Sequence, residues 1–189
     1  MFADMDAEQA SPSAFESRRA AAQAVRWQWS RLPALSPAAL YAALAARQQV
    51  FAVEQQCAYL DADGLDHHAW HLLGWDATGE ARLLAAYLRL IDPGCRCAEP
   101  SIGRVLTAKS RRGGGLGRVL MREGIERCAA LHAGLPIRIS AQLYLEPFYA
   151  SLGFDTVSGS YLEDGIPHVE MRLAVAPARP GVDGERPLR

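Results

Sequence analysis

Lysine is almost missing from this chain. Of its 189 residues only Lys109 is lysine, and Arg supplies the rest of the 20 basic residues. Set against 21 acids this gives a formal net charge of -1, which argues against non-specific nucleic-acid or anionic-membrane binding. No apolar run approaches the roughly 18 residues that a membrane helix needs. The first residues carry Asp4, Asp6, Glu8 and Glu16 without an apolar stretch, so no secretory signal is read there. Cysteine is scarce too. Cys57, Cys95, Cys97 and Cys128 do not form the spaced framework of a disulfide-stapled secreted domain. Reduced thiols and a cytoplasmic protein are the expectation. What is present suffices for one α/β domain with a real core: half the residues are hydrophobic and 22% are charged.

Residues 1–24 are rich in Ala, Ser and acids and read as a flexible extension. Residues 176–189 hold Pro177, Pro180 and Pro187 and read as a disordered tail. The domain is therefore placed at 25–175. Arg26 to Leu32 alternates around Trp27 and Trp29, as a strand does. Ser36-Pro37 offers an N-cap followed by proline at the first helical position, with Leu40, Leu44, Arg47 and Phe51 on one stripe of a helix ending near Glu54. Residues 55–68 read as a loop. Ala69–Trp75 and Ala81–Leu90 read as a hairpin around Asp76-Ala77-Thr78-Gly79, and Ser101–Thr107 as a further strand. A helix of about 18 residues follows Gly113-Gly114-Gly115 and carries Leu116, Leu120 and Cys128 on one side. Pro136–Gln142 reads as a strand, and Leu145–Leu152 as a short helix stopped by Gly153. Phe154–Val157 and His168–Leu173 are late strands. The order is mixed α/β, with a strand–turn–helix unit near its middle.

The turn in that unit holds Arg112, Gly113, Gly114, Gly115 and Gly117. Several backbone N–H groups at a helix N-terminus, together with the helix dipole, favour an anion such as a phosphate. Glycine lets the backbone approach such a ligand without a Cβ in the way. A Walker A loop would need Lys-Ser or Lys-Thr after its last glycine, and Arg118-Val119 stands there. A dinucleotide fold would carry its glycines early in a βαβ unit, not after four strands.

Downstream lies Gln142-Leu-Tyr-Leu-Glu-Pro-Phe148-Tyr149-Ala-Ser-Leu-Gly153-Phe154. With Arg112-x-x-Gly115-x-Gly117 it resembles the GNAT superfamily of N-acetyltransferases, whose later signature is Asn-x-x-Ala-x-x-Phe-Tyr-x-x-x-Gly-Phe. Gln142 stands for the usual Asn and Leu145 for the usual Ala. The ElaA-like branch is resembled more closely still, through Arg47-Gln-Gln-Val-Phe-Ala-Val-Glu54-Gln55, Cys57-Ala-Tyr59-x-Asp61-x-Asp63-Gly64-x-Asp66, Ile102-Gly-Arg104-Val105 and Glu163-Asp164-Gly165-Ile166-Pro167-His168. Ala58 departs from the proline usual in that branch. The resemblance spans residues 26–174. It implies a central, mostly antiparallel sheet with one splayed parallel strand pair, flanked by helices.

The resemblance also implies direct transfer of acetyl from acetyl-CoA to an amine, in a monomer or homodimer. Such a site places the thioester, takes a proton from the amine and gives one to the thiolate. Val105, Leu106 and Thr107 would face the pantetheine arm. Arg112, Gly113, Gly114, Gly115, Leu116 and Gly117 would hold the pyrophosphate, with Gln142 and Tyr149 also beside the cofactor. Tyr149 is the candidate acid, since a phenol with pKa near 10 stays protonated at neutral pH; Tyr144 is an alternate. For the base, Glu54, Glu163, His71 and His168 all stay open. Arg47 and Arg89 interrupt apolar patterns and need partners, either acids or an acidic substrate group, unless they snorkel to the surface. With Glu54 and Glu163 they complete the expected acceptor site. The stretch Asp61-x-Asp63-Gly64-x-Asp66 misplaces the glycine of a calcium loop, and Leu72 stands where the closing Glu belongs, so no metal is expected. The loop reads instead as an acidic mouth for a cationic amine. A non-catalytic acyl-CoA-binding module on the same fold is the alternative function, and in it Tyr149→Phe would be silent.

Overall fold

A computed structural model describes residues 24–77 and 83–174. The two expected terminal extensions, and the hairpin residues 78–82, lie outside the described residues.

Among the described residues eight strands form one sheet. They are β1 (Val25–Arg31), β2 (Ala69–Asp76), β3 (Leu84–Ile91), β4 (Ser101–Thr107), β5 (Ile137–Gln142), β6 (Asp155–Thr156), β7 (Tyr161–Glu163) and β8 (Ile166–Leu173). Their order is β1-β2-β3-β4-β5-β8-β6, with β7 pairing β8. Only β4 and β5 run parallel among these pairs. The expected mixed sheet is thus present, with one strand more than the sequence reading counted. That strand is β7, whose two-residue turn to β8 is Asp164-Gly165 with φ of 50° and 78°. Both residues sit at positive φ, as the tightest hairpin turn requires, and Asp-Gly is its usual sequence.

Helix α1 (Pro37–Arg47) starts as expected: the Ser36 side chain accepts a hydrogen bond from Ala39 N at 3.2 Å. The helical path does run on to Glu54, but from Gln48 it is π-helical, with Gln55 N donating to the Val50 carbonyl five residues back. Helix α2 (Leu116–Leu131) follows the glycine turn, and α3 (Glu146–Ala150) is a single short turn-and-a-half closed by Gly153 at φ 94°.

The two long helices cover opposite faces of β2 and β3. Ala39 and Ala43 of α1 pack with Leu73, Trp75, Tyr87 and Leu106. Leu116, Leu120 and Met121 of α2 pack with Leu72, Leu88 and Leu90, and continue under Ile137, Ile139 and Met171. Alternate residues of a strand point to opposite faces, so β2 and β3 are apolar on both faces apart from the buried His71 and Arg89, while β5 and β8 need be apolar at every second position only.

β4 is bent. Arg104 has φ 53°, and the pairing of β3 with β4 shifts register between Tyr87 and Arg89. A non-glycine residue at positive φ inside a strand marks a bulge, which turns the strand out of line. β4 and β5 meet only where Ser101 faces Arg138, with Arg138 N donating to the Pro100 carbonyl at 3.0 Å. Beyond that point they part, and a cleft opens between them.

Candidate active site

The cleft has a volume of about 560 Å³. Its wall is the unpaired edge of β4 from Gly103 to Thr107, and Val105, Leu106 and Thr107 all line it. Arg112 also lines it, and the glycine turn begins one residue later. The N–H groups of Gly113, Gly115, Leu116 and Gly117 make no backbone hydrogen bond among the described residues; the first bonded amide of α2 is Arg118 N, on the Gly115 carbonyl at 3.0 Å. Gly113 and Gly115 sit at φ 80° and 81° with no atom within 4 Å of where a Cβ would stand. Glycine is thus required by conformation, and the space beside it is open. Free amides, open space and Arg112 form a cradle that fits a diphosphate.

Tyr149 reaches the cleft from α3. Its ring packs edge-on against Phe148 and Phe154, with centroids 5.0 and 6.0 Å away. Burial, and then the neighbouring Tyr144, push its phenol up to about 12. No hydrogen bond of the Tyr149 hydroxyl is found among the described residues, and the residue lines the cleft. Tyr144, the alternate, also lines the cleft but is 70% exposed. Gln142 ends β5, and its amide donates to Gln55 Oε1 at 3.2 Å across the cleft.

The base candidates divide. Glu54 lines the cleft, but its Oε2 lies 2.8 Å from Arg112 Nη2, which ties the end of the π-helical segment to the residue before the glycine turn. His71 is a core residue, 1% exposed, with Nδ1 2.7 Å from Tyr87 OH and Nε2 3.2 Å from the Asp66 carbonyl; burial first of all lowers its pKa. It has no route to the cleft. His168 does line the cleft. Its Nδ1 donates to the Ile166 carbonyl at 2.8 Å, which leaves Nε2 bare in the neutral ring. Glu163 also lines the cleft and accepts from Ser140 Oγ at 2.8 Å.

Arg47 and Arg89 do not fit the acceptor role expected of them. Both are buried, at 1% and 2% exposed, and neither lines the cleft. Arg47 donates from Nε to Asp61 Oδ2 and from Nη1 to Asp66 Oδ1, both at 2.7 Å, and from Nη2 to the Asp61 carbonyl at 2.9 Å. Arg89 donates to both oxygens of Asp63 at 2.7 Å and to Asp66 at 3.0 Å. Arg104 closes the set on Asp61 at 2.6 Å and Asp63 at 3.3 Å. Three arginines meet three aspartates, so the loop is neutralised and is not the acidic mouth that its sequence suggests. Against the pull of burial, Arg89 holds the Asp63 carboxyl down at about 2. Burial would lower the Arg47 pKa, yet Tyr87, Asp66 and Asp61 hold it above its ordinary value.

Arg104, Ser140 and Tyr161 stand out in no catalytic motif of the sequence. Gly103 beside Arg104 was the signal for a bulge. Strict alternation in Ile137-Arg138-Ile139-Ser140-Ala141-Gln142 already set Ser140 on the polar face, and Asp164-Gly165 announced the hairpin that brings Tyr161 to it.

Comparison with known proteins agrees with this geometry. A family model described as an Acetyltransferase (GNAT) domain matches residues 77–175. The chain belongs to the GNAT acetyltransferase family. Among its GNAT relatives, a UPF0039 protein of Synechocystis is 45% identical over 81% of this chain and 97% of its own length. Protein ElaA of Escherichia coli is 38% identical over 82% of this chain and 99% of its own. The crystal structure of E. coli ElaA superposes with a TM-score of 0.73, covering 79% of this chain and 99% of that one at 37% identity. An acyl-CoA N-acyltransferase from Pseudomonas aeruginosa does so with a TM-score of 0.74 and the same coverage at 39% identity. The GNAT fold expected from the motifs, with its single parallel pair, is therefore the fold of this chain, and an acyl-CoA-dependent transferase is the activity class of the family.

Proposed function

We propose that this protein moves an acetyl group from acetyl-CoA directly to an amine, with Tyr149 protonating the departing thiolate and Glu163 receiving the proton of the amine. The observation that carries the proposal is the pairing of a glycine turn, whose Gly113, Gly115, Leu116 and Gly117 amides make no backbone hydrogen bond among the described residues, with an unpaired strand edge and Tyr149 in the same cleft. Thiol arm and diphosphate have the chemistry of these two surfaces: amide groups that add to a strand edge, and an anion for a helix N-terminus. Burial supports Tyr149 as the acid, since a phenol held at about 12 is fully protonated at neutral pH. Glu163 is favoured over Glu54 as the base because a hydroxyl, and not an arginine, is its partner. His168 Nε2 offers a second acceptor on the same wall.

A thiol-release assay with acetyl-CoA and a panel of amines, polyamines, amino acids and peptides tests the reading. Tyr149→Phe is expected to lower kcat about a hundredfold while acetyl-CoA still raises the melting temperature. Stabilisation by acetyl-CoA without thiol release from any acceptor would instead indicate a binding module.

A further inference from the structure

Four side chains form an unbroken line from the cleft to the outer part of the sheet. β5 and β8 pair with Ser140 opposite Glu170, while β7 and β8 pair with Tyr161 opposite His168. Alternation puts Ser140, Tyr161, Glu163 and Glu170 on the face away from the apolar Ile139, Ala141, Val169 and Met171. Glu163 Oε2 lies 2.8 Å from Ser140 Oγ, Ser140 Oγ lies 2.6 Å from Tyr161 OH, and Tyr161 OH lies 2.9 Å from Glu170 Oε1. Glu163 and Ser140 line the cleft; Tyr161 and Glu170 lie behind them.

Counting protons gives this line a direction. Three hydrogen bonds need three protons, and the two hydroxyls supply two. With both carboxylates ionised, Ser140 donates to Glu163 and Tyr161 donates to Glu170, and the 2.6 Å contact between the hydroxyl oxygens holds no proton. One extra proton on either carboxyl fills all three contacts, because both hydroxyls then donate the same way along the line. The two filled arrangements differ only in that direction, and passing from one to the other moves a net proton between Glu163 and Glu170.

Resting on the amine-transfer reading above, we propose that Glu163, Ser140, Tyr161 and Glu170 form a proton relay that carries the acceptor's ammonium proton out of the cleft. The ammonium N–H bond breaks and Glu163 takes the proton, leaving the amine its lone pair for the new C–N bond. Glu163 then donates to Ser140, Ser140 gives its own proton to Tyr161, and Tyr161 gives its own to Glu170. Each hydroxyl ends as it began, Glu163 is again ionised, and Glu170, whose side chain is 24% exposed, releases the proton to water. Glu163 touches the acceptor; Ser140, Tyr161 and Glu170 are positioning residues that act through it.

The charges facing the line come from each neighbouring strand. Arg138 on β5 places Nη1 3.7 Å from Glu170 Oε2 and is itself bound to Glu99 at 2.8 Å. On β8, Arg172 lies 3.7 Å from Glu99, and the His168 ring stacks 6.1 Å from Tyr161. Asp164 follows Glu163 in the turn, with Cys57 Sγ 3.9 Å from its carbonyl. Burial above all holds the Tyr161 phenol over its ordinary value.

The test uses the full chain with acetyl-CoA and three acceptors: spermidine, phenylalanine amide and a lysine-containing peptide. Tyr161→Phe and Ser140→Ala are each expected to lower kcat about tenfold to a hundredfold at pH 7, with the KM for acetyl-CoA unchanged. The loss should shrink as pH rises, because the acceptor then arrives already deprotonated. Ser140→Thr, which keeps the hydroxyl, should restore the wild-type pH profile. Should Tyr161→Phe fail to fold, Glu170→Gln at the outer end must show the same pH-dependent loss. Folded variants with the wild-type pH profile, in an enzyme that acetylates one of these amines, would overturn the relay alone. A wild-type protein that binds acetyl-CoA yet acetylates none of the three would overturn the transfer reading and the relay with it.

Discussion

Strands β2 and β3 are covered on both faces, whereas β5 and β8 are covered on one and open to the cleft on the other. Charge follows that division. In the first half of the sheet Arg47, Arg89, Asp66 and His71 are buried and spend their hydrogen bonds on one another. In the second half Ser140, Glu163 and His168 keep atoms at the cleft. The same residue types therefore do different work. Where two helices exclude water, an ion must find its counter-ion within the protein, and the result is a rigid neutral cluster. Where one face is bare, polar groups stay within reach of a ligand.

Substitutions on either side of that division should separate stability from catalysis. The largest expected effect on stability is from Arg47→Met, which leaves three buried or half-buried aspartates with only Arg89 and Arg104 to neutralise them and should cost about 3–5 kcal/mol, read by denaturant unfolding. Next is Gly124→Val on α2. A Cβ there would stand 2.6 Å from Leu88 Cδ2, and Leu88 is fully buried, so overpacking should cost about 1–3 kcal/mol. Asp63→Asn should act through pH. The Asp63 carboxyl is held at about 2 in the fold, below its unfolded value of about 4. Its contribution is thus complete above about pH 4 and is lost as pH falls towards 2. The variant should have a flatter stability curve across that window in acid-unfolding experiments. The smallest effect on stability is expected from Tyr149→Phe, since the hydroxyl it removes bonds to no described residue, and yet that variant should lose the most turnover. A large fall in its melting temperature would break the contrast between the two halves.

The glycine turn and the Phe148-Tyr149 helix were legible in the sequence because both are local. Positive φ calls for glycine at Gly113 and Gly115, and a short helix with Gly153 behind it sets Tyr149 on one side. The strands of the sheet were legible for the same reason, except β7, whose Tyr161-Leu162-Glu163 is marked only by the Asp164-Gly165 turn that follows it. Arg47 and Arg89 were not legible as a structural pair. Their partners lie 14 to 26 residues away in sequence, and no spacing shows which of two charged groups lies under a helix. Glu54 likewise meets Arg112 from a distant part of the chain, a contact that no local spacing shows. By itself, then, the sequence determined the elements, the glycine turn and the candidate acid, all set by backbone preference over a few neighbouring residues. Only the tertiary structure decided which charges neutralise each other and which face a ligand, because that depends on which strand faces are covered, and covering is a property of the packed chain.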